Sequence, residues 1–187
     1  VNNLDIEKKI AFVEKKAVDY YTMAVSESNT KIDDKTEEKT WHKNQVSLGD
    51  TTVTTIVTMF RKIKFHTRES LGFENLELPP QTLETTAFWL VPSEEAFARV
   101  REHGRRATDA LIGIANVVSE VMSLHVMCDS MDIGTVVESS NIGLPTLFVY
   151  DRYPGGMGFA AKGYNRIEPI MQDTLKVIEQ CECHQGC

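Results

Sequence analysis

The amino-acid sequence predicts an α+β fold, in which an N-terminal antiparallel sheet or partial barrel is followed by a helical region that ends in a cysteine cluster. Three observations support this order. Residues 51–65 are rich in β-branched and aromatic side chains and contain neither Gly nor Pro. After residue 92, apolar side chains recur at helical spacing instead. Three of the four cysteines lie in the last seven residues.

Residues 1–91 are predicted to form a mainly β subdomain with a leading helix. Apolar residues at helical spacing predict that helix over residues 4–18. Alternation predicts a strand near residues 21–25. Within the polar stretch 26–50, the charged run 31–40 indicates either a solvated hairpin or a mobile loop, and Trp41 and Val46 suggest a short returning strand. The strongest strand prediction covers residues 51–65, and another covers residues 82–91.

Residues 92–187 are predicted to form a mainly helical region. Ser93 is a good N-cap for a first helix, which Gly104 interrupts. A long helix is expected over residues 107–125, then strands near Val136 and at residues 146–150. A last helical segment, broken or restarted at Pro169, leads to the cysteines. The two regions are expected to form one compact C-terminal module of a longer protein.

The bulk composition is that of an ordinary globular protein, with 42% hydrophobic and 25% charged residues. No run of consecutive apolar residues approaches the length of a membrane span and nothing resembles a signal peptide, so no membrane partner is expected. The cysteine usage favours a reducing cytoplasm. The net charge of −7 means that any nucleic-acid contact must come from a local basic patch.

The terminal cysteines have the spacing C-x-C-x3-C and form the most specific candidate site. Cys181, Cys183 and Cys187 are predicted to bind one Zn²⁺, because a disulfide between the first two would close a strained ring. A tetrahedral site needs a fourth ligand, which we expect just beyond Cys187. Cys128 and His184 are the alternative fourth ligands, and Cys128 is predicted not to bind the metal.

Residues 150–158 contain three glycines between a strand and a helix. Their backbone N–H groups offer a phosphate site at the helix N-terminus, but a structural turn capped by Asp151 is the favoured interpretation. No G-x-x-x-x-G-K-[ST] motif occurs anywhere in the sequence. Asp129 and Asp132 are interpreted as turn caps rather than metal ligands, and Cys128 as a buried thiol.

The densest basic cluster consists of Arg99, Arg101, Arg105 and Arg106. These arginines could contact nucleic-acid phosphates, or they could pair with neighbouring acids on a solvated face. A weaker second candidate consists of Lys62, Lys64 and His66 on the predicted sheet.

Taken together, four segments resemble the C-terminal zinc-binding (MZB) domain of the mitomycin repair factor A family of superfamily 2 DNA helicases. The segments are residues 85–90, 128–134 and 148–158, and the terminal cysteine cluster. In that family the cysteine pattern continues with one more Cys, three residues after the position of Cys187.

The resemblance implies one module of an ATP-dependent helicase that moves 3′ to 5′ on single-stranded DNA and repairs crosslinked or bulky lesions. ATP and Mg²⁺ would then bind two upstream RecA-like domains, while zinc fixes the C-terminal end of a module that supports the DNA channel. Two alternatives stay open: an assembly domain of a phage-defence subunit without its own helicase activity, and a pure protein–protein scaffold.

Overall fold

The computed structural model describes residues 1–183, which form eight β-strands and four α-helices. The chain forms two compact units that interleave in sequence. Unit 1 contains residues 1–27 and 57–79, and unit 2 contains residues 28–56 and the chain from Pro80 onwards. The units therefore do not follow the expected division at residue 91. The strands are β1 (Asn3–Asp5), β2 (Ile10–Phe12), β3 (Tyr20–Trp41), β4 (Asn44–Lys64), β5 (Ser70–Asn75), β6 (Gln81–Val91), β7 (Ile133–Glu138) and β8 (Thr146–Asp151). The helices are α1 (Glu94–Glu102), α2 (Ala107–Val126), α3 (Phe159–Asn165) and α4 (Ile167–Glu179).

The predicted leading helix is wrong, since residues 3–12 form the small antiparallel hairpin β1–β2. The Asp5 carboxylate accepts the backbone N–H of Lys8 at 2.9 Å, and Lys9 has a positive φ of 56°. A short polar side chain that bonds its own backbone offers the chain an alternative to a helix. The apolar residues at helical spacing, such as Ile6 and Ile10, stay largely exposed. A single short helix without a packed face is marginal in water.

The polar stretch after residue 26 forms a long hairpin rather than a loop. Strand β3 pairs with β4, and only two residues join them. These are His42 and Lys43, with positive φ values of 45° and 69°, the geometry of a type I′ hairpin turn. The predicted strand over residues 51–65 is confirmed as the second half of β4. Strand β5 pairs with the end of β4, and together with the start of β3 these strands make the sheet of unit 1.

In unit 2 the strands follow the order β3-β4-β6-β8-β7, so β3 and β7 lie at opposite edges. Asn141, in the β7–β8 loop, joins these edges: its carbonyl accepts from Ile32 N at 3.1 Å, and its amide donates to Thr30 O at 2.7 Å. Thr30 also donates to Glu138 Oε1 at 2.9 Å. The sheet of unit 2 is therefore joined edge to edge, but it includes β7 and β8, whereas the expected sheet or partial barrel was confined to the N-terminal strands.

The strands of unit 2 alternate between two cores, as a period of two requires. Trp89 and Phe148 stack inside the curved sheet, with ring centroids 5.9 Å apart. Phe88 and Leu90 face the other way, towards the helices. The ring of Tyr150 covers its cross-strand partner on β7, a glycine whose Cβ would overlap with it.

The helices of unit 2 begin and end close to their predicted limits. Ser93 caps α1 by accepting from Ala96 N, and α1 ends before Gly104, which has a φ of 66°. Helix α2 is long and apolar enough to cross a membrane by length and composition. No such segment was expected from the sequence, because it contains no long run of consecutive apolar residues. One side of it packs against β7, β8 and α4, the arrangement of a core helix. Pro169 lies in the first turn of α4, where proline costs no helical hydrogen bond.

Candidate metal centre and basic surfaces

The glycine-containing loop after β8 is organised by Asp151, which is fully buried. Its Oδ2 accepts from Met157 N at 2.6 Å and from Phe159 N at 3.1 Å, and its Oδ1 accepts from Ala160 N at 2.7 Å. These are the backbone N–H groups with which the start of α3 would bind an anion. The chain's own carboxylate therefore fills the place that a phosphate would take, and the structural interpretation of the loop is confirmed.

The glycines of this loop hold it against β6. Gly155 donates its backbone N–H to Glu84 O at 2.8 Å. Gly156 has a φ of 75°, and a Cβ there would lie 2.7 Å from Thr86 Oγ1. Only glycine meets both conditions, because other residues are strained at this φ and would collide with Thr86.

Asp129 and Asp132 cap a single 3-10 turn over residues 130–132. The Asp129 carboxylate accepts from Met131 N, and Asp132 Oδ2 accepts from the backbone N–H of Asp129 at 3.0 Å. Asp132 Oδ1 accepts the hydroxyl of Tyr153 at 2.6 Å, and this contact raises the pKa of that tyrosine. The two carboxylates thus have the capping roles that the sequence predicted.

Cys128 lies beside this turn, half-buried against the helical core. Burial raises the pKa of the Cys128 thiol, and the nearby carboxylates of Asp132, Asp151 and Asp129 add to that effect. A raised pKa disfavours the thiolate, which is the form that binds a metal or reacts as a nucleophile. This environment agrees with the prediction that Cys128 is not a ligand, which stays a prediction.

Cys181 and Cys183 follow the end of α4, and both are exposed. Their sulfur atoms lie 2.9 Å apart, longer than a disulfide bond of about 2.05 Å. Two sulfurs on a tetrahedral zinc with bonds of about 2.3 Å lie roughly 3.8 Å apart. The two sulfurs therefore have neither disulfide nor zinc-edge spacing, and would have to lie about 0.9 Å further apart to bind one zinc ion. The third predicted ligand, Cys187, and the alternative ligand His184 lie outside the described residues.

Within residues 1–183, no group of three or more His, Cys, Asp or Glu side chains is arranged to hold a metal ion. The aspartates that the sequence offered as oxygen ligands are included in that range. The predicted trio is not, because one of its members lies beyond it. Zinc ligation by these cysteines therefore stays a prediction.

The four arginines of the basic cluster are all exposed, but they do not share one helix face. Arg99 pairs with Glu95 within α1 at 2.9 Å, and Arg106 forms a two-bond contact with Asp109 at the start of α2. Arg101 is in the last turn of α1, and Arg105 is in the connection after Gly104. In the part of the chain that the structure describes, neither Arg101 nor Arg105 forms an ion pair.

The weaker basic candidate lies in unit 1. Lys62 pairs with Glu74 across β4 and β5, and the pKa of Lys62 is raised by that contact. Lys64 is half-buried, and His66 is exposed in the turn after β4. The exposed aromatic side chains Phe65 and Phe73 of the same unit were not predicted as a site from the sequence, although no acid occurs between residues 51 and 68.

Comparison with known proteins gives consistent matches. Residues 114–187 match the family model MZB, described as the MrfA Zn-binding domain. The whole chain is 36% identical to the "Uncharacterized ATP-dependent helicase YprA" of Bacillus subtilis (strain 168), of which it covers 25%.

Solved structures of the DUF1998 helicase MrfA match as well. The DNA-bound crystal structure superposes with a TM-score of 0.64 at 33% identity, over 100% of this chain and 25% of that one. The complex with DNA and AMPPNP gives a TM-score of 0.57 at 34% identity, over 100% of this chain and 23% of the other. The chain thus spans about a quarter of the length of these relatives. It is homologous to that quarter of an ATP-dependent helicase, and its residues 114–187 match the model of the MrfA Zn-binding domain.

Proposed function

We propose that this chain is the C-terminal structural and DNA-channel module of an ATP-dependent DNA helicase. The full protein moves 3′ to 5′ on single-stranded DNA and acts in the repair of crosslinked or bulky lesions in the cytoplasm. ATP and Mg²⁺ bind its own upstream RecA-like domains, with which this module packs. The module itself contributes no nucleotide site.

The observation that supports this proposal is the match along the complete chain to a helicase bound to DNA. A local resemblance would cover the cysteines and the loop after β8 alone. Here the match also includes the hairpin β3–β4 and unit 1. The buried Asp151 supports the division of roles, because it occupies the α3 N-terminus with protein and leaves no phosphate cradle there.

Zinc is the cofactor of the module in this proposal. Cys181, Cys183 and Cys187 hold it, together with a fourth ligand. When bound, the ion supplies a rigid crosslink that fixes the chain after α4. Cys181 and Cys183 contribute by presenting two sulfurs on the same side of the chain. Because thiolates are the ligands, zinc binding releases protons and weakens as the pH falls.

Arg101 and Arg105 are the arginines of the basic cluster that we propose to contact DNA phosphates. Both are exposed, whereas Arg99 and Arg106 are engaged with Glu95 and Asp109. Substitution of Arg101 and Arg105 with Gln is expected to weaken DNA binding uniformly across sequences and to flatten its salt dependence. Under a pure scaffold function, this substitution would leave DNA binding unchanged.

The test of the proposed function uses the full-length protein that contains this chain. We expect ATP hydrolysis that single-stranded DNA stimulates, and unwinding of a duplex with a 3′ overhang but not of one with a 5′ overhang. A protein that hydrolyses ATP but unwinds neither duplex would contradict the helicase. A protein with no DNA-stimulated hydrolysis would favour the assembly role in a phage-defence system.

A further inference from the structure

The charges of the two units differ sharply. Unit 1 contains eight Lys or Arg residues and eight Asp or Glu residues, so the net charge of −7 falls entirely on unit 2. Within unit 1, the end of β4 and the turn after it contain four cations and no acid (Arg61, Lys62, Lys64 and Arg68). This segment is therefore the most basic stretch of unit 1, with Glu69 and Glu74, the partner of Lys62, as its neighbouring acids.

The same part of unit 1 exposes aromatic rings. Phe65 is 45% exposed and packs beside Tyr21 of β3, with ring centroids 5.7 Å apart. Phe73 of β5 is 57% exposed and lies directly across from Arg61 of β4. Since side chains of a strand alternate, Arg61 and the buried Ile63 belong to one face of β4, and Phe65 follows directly after the strand ends at Lys64. Phe73 shares that face, because it is the cross-strand partner of Arg61.

We propose that this face, made of Tyr21, Phe65, Phe73 and Arg61, stacks unpaired bases of single-stranded nucleic acid. We call it the aromatic face. Exposed rings on a sheet bind any base through its π-face, and neighbouring cations follow the phosphate backbone. The proposal rests on the proposed function, since it places a contact for the translocating strand in unit 1.

The cations around the aromatic face are available for phosphates. Arg61 and Arg68 form no ion pair with any acid among residues 1–183, in contrast to Lys62, which pairs with Glu74. Arg61 is half-buried, and its Nε has no hydrogen-bond partner in the described chain. Arg68 is exposed in the turn after β4 with a φ of 57°. A protein partner would need acidic groups here to neutralise these charges, whereas nucleic acid brings one per phosphate.

Conservative substitutions in the full-length protein test the proposal. Phe65→Leu combined with Phe73→Leu keeps an apolar surface and removes the π-faces. Phe12→Leu is the matched control, because Phe12 is 52% exposed on β2 of the same unit and outside the aromatic face. The probe is fluorescein-labelled oligothymidylate of about 16 nucleotides, and the readout is its anisotropy across a salt series.

We expect the double variant to bind the oligonucleotide at least about tenfold more weakly, with the slope against salt concentration unchanged. Arg68→Gln is expected to lower that slope by about 0.7, as for one lost contact to a single strand. Lys15→Gln removes one exposed positive charge elsewhere in unit 1 and is the control for Arg68→Gln; neither it nor Phe12→Leu should change either quantity. Circular dichroism of each variant shows whether it folds as the wild type does.

A double variant that binds within about twofold of the wild type would overturn the aromatic face. That result would identify the face as one that packs against protein, because leucine retains the apolar area. The outcome is separable from failure of the helicase function. If the wild type unwinds DNA and the double variant binds the oligonucleotide as well as the wild type does, only the aromatic face is refuted. If binding depends on the aromatic rings but the wild type does not unwind DNA, only the helicase function is refuted. A wild type that does not bind the oligonucleotide overturns both.

Discussion

Replacement of Asp151 with Asn tests the network that organises the loop after β8. The fully buried carboxylate accepts three backbone N–H groups, two at Oδ2 and one at Oδ1. An asparagine has one carbonyl oxygen, so its best orientation keeps the two bonds at the Oδ2 position. Its amide group then faces the N–H of Ala160, which loses its acceptor.

The magnitude follows from these contacts. A hydrogen bond to a charged group contributes about 1.5–3 kcal/mol, and a buried donor without a partner costs about 1–3 kcal/mol. The two remaining bonds also lose their charge assistance. We therefore expect Asp151→Asn to lower the free energy of unfolding by about 2–4 kcal/mol, and Tm by roughly 5–15 °C for a chain of this size.

Urea denaturation followed by tryptophan fluorescence measures this effect. Both tryptophans, Trp41 and Trp89, lie in unit 2 together with Asp151, so the signal reports the unit that is perturbed. The matched control is Asp129→Asn at an exposed cap, where asparagine caps as well as aspartate and the change stays below about 0.5 kcal/mol. A value for Asp151→Asn as small as the control's would refute the argument that the carboxylate organises the loop.

Gly134→Ala is expected to lower the free energy of unfolding by about 2–3 kcal/mol, because its Cβ would overlap with the buried ring of Tyr150 on β8. Gly113→Ala, on an open face of α2, is expected to raise the free energy of unfolding by about 0.5–1 kcal/mol. Urea midpoints measure both changes, and shifts of the same sign would contradict the packing argument. The pKa of Glu168 is lowered from 4.5, chiefly by the hydrogen bond that the indole of Trp41 donates to it. The contribution of Glu168 to stability is therefore present above about pH 4.5 and is lost as the pH falls through the lower folded pKa. Glu168→Gln should therefore flatten the acid loss of stability, and an unchanged urea midpoint profile between about pH 6 and pH 3 would contradict this. In a chain extended by about ten residues, Cys183→Ser should abolish zinc in elemental analysis while Cys128→Ser retains it, and the reverse result would exchange their roles.

The sequence predicted elements well wherever local chemistry and packing agree. Ser93 caps α1 because a short hydroxyl side chain accepts a backbone N–H in any context, and β4 is a strand because its β-branched residues fit a half-buried sheet. Residues 4–18 show the opposite case. Their helical spacing is real, but Asp5 closes a turn and no packed surface stabilises a helix.

The candidate sites divide in the same way. Spacing alone identified the cysteine cluster and the capping role of Asp151, because both depend on residues that are close in sequence. Spacing grouped Arg101 and Arg105 in one basic cluster, but Gly104 lies between them and α1 ends at Glu102. The aromatic face could not be predicted from the sequence, since Phe73 lies beside Arg61 only through the pairing of β4 with β5.

The contacts of Asn141 bear on how the protein behaves at high concentration. An open sheet presents rows of unpaired N–H and C=O groups at its two edges, and such edges recruit strands from other molecules into aggregates. In unit 2 the N–H of Ile32 and the carbonyl of Thr30, both on the edge strand β3, are satisfied by one asparagine side chain from the opposite end of the sheet. A single amide thereby blocks two of the edge groups with which β3 could otherwise pair with a strand of another molecule.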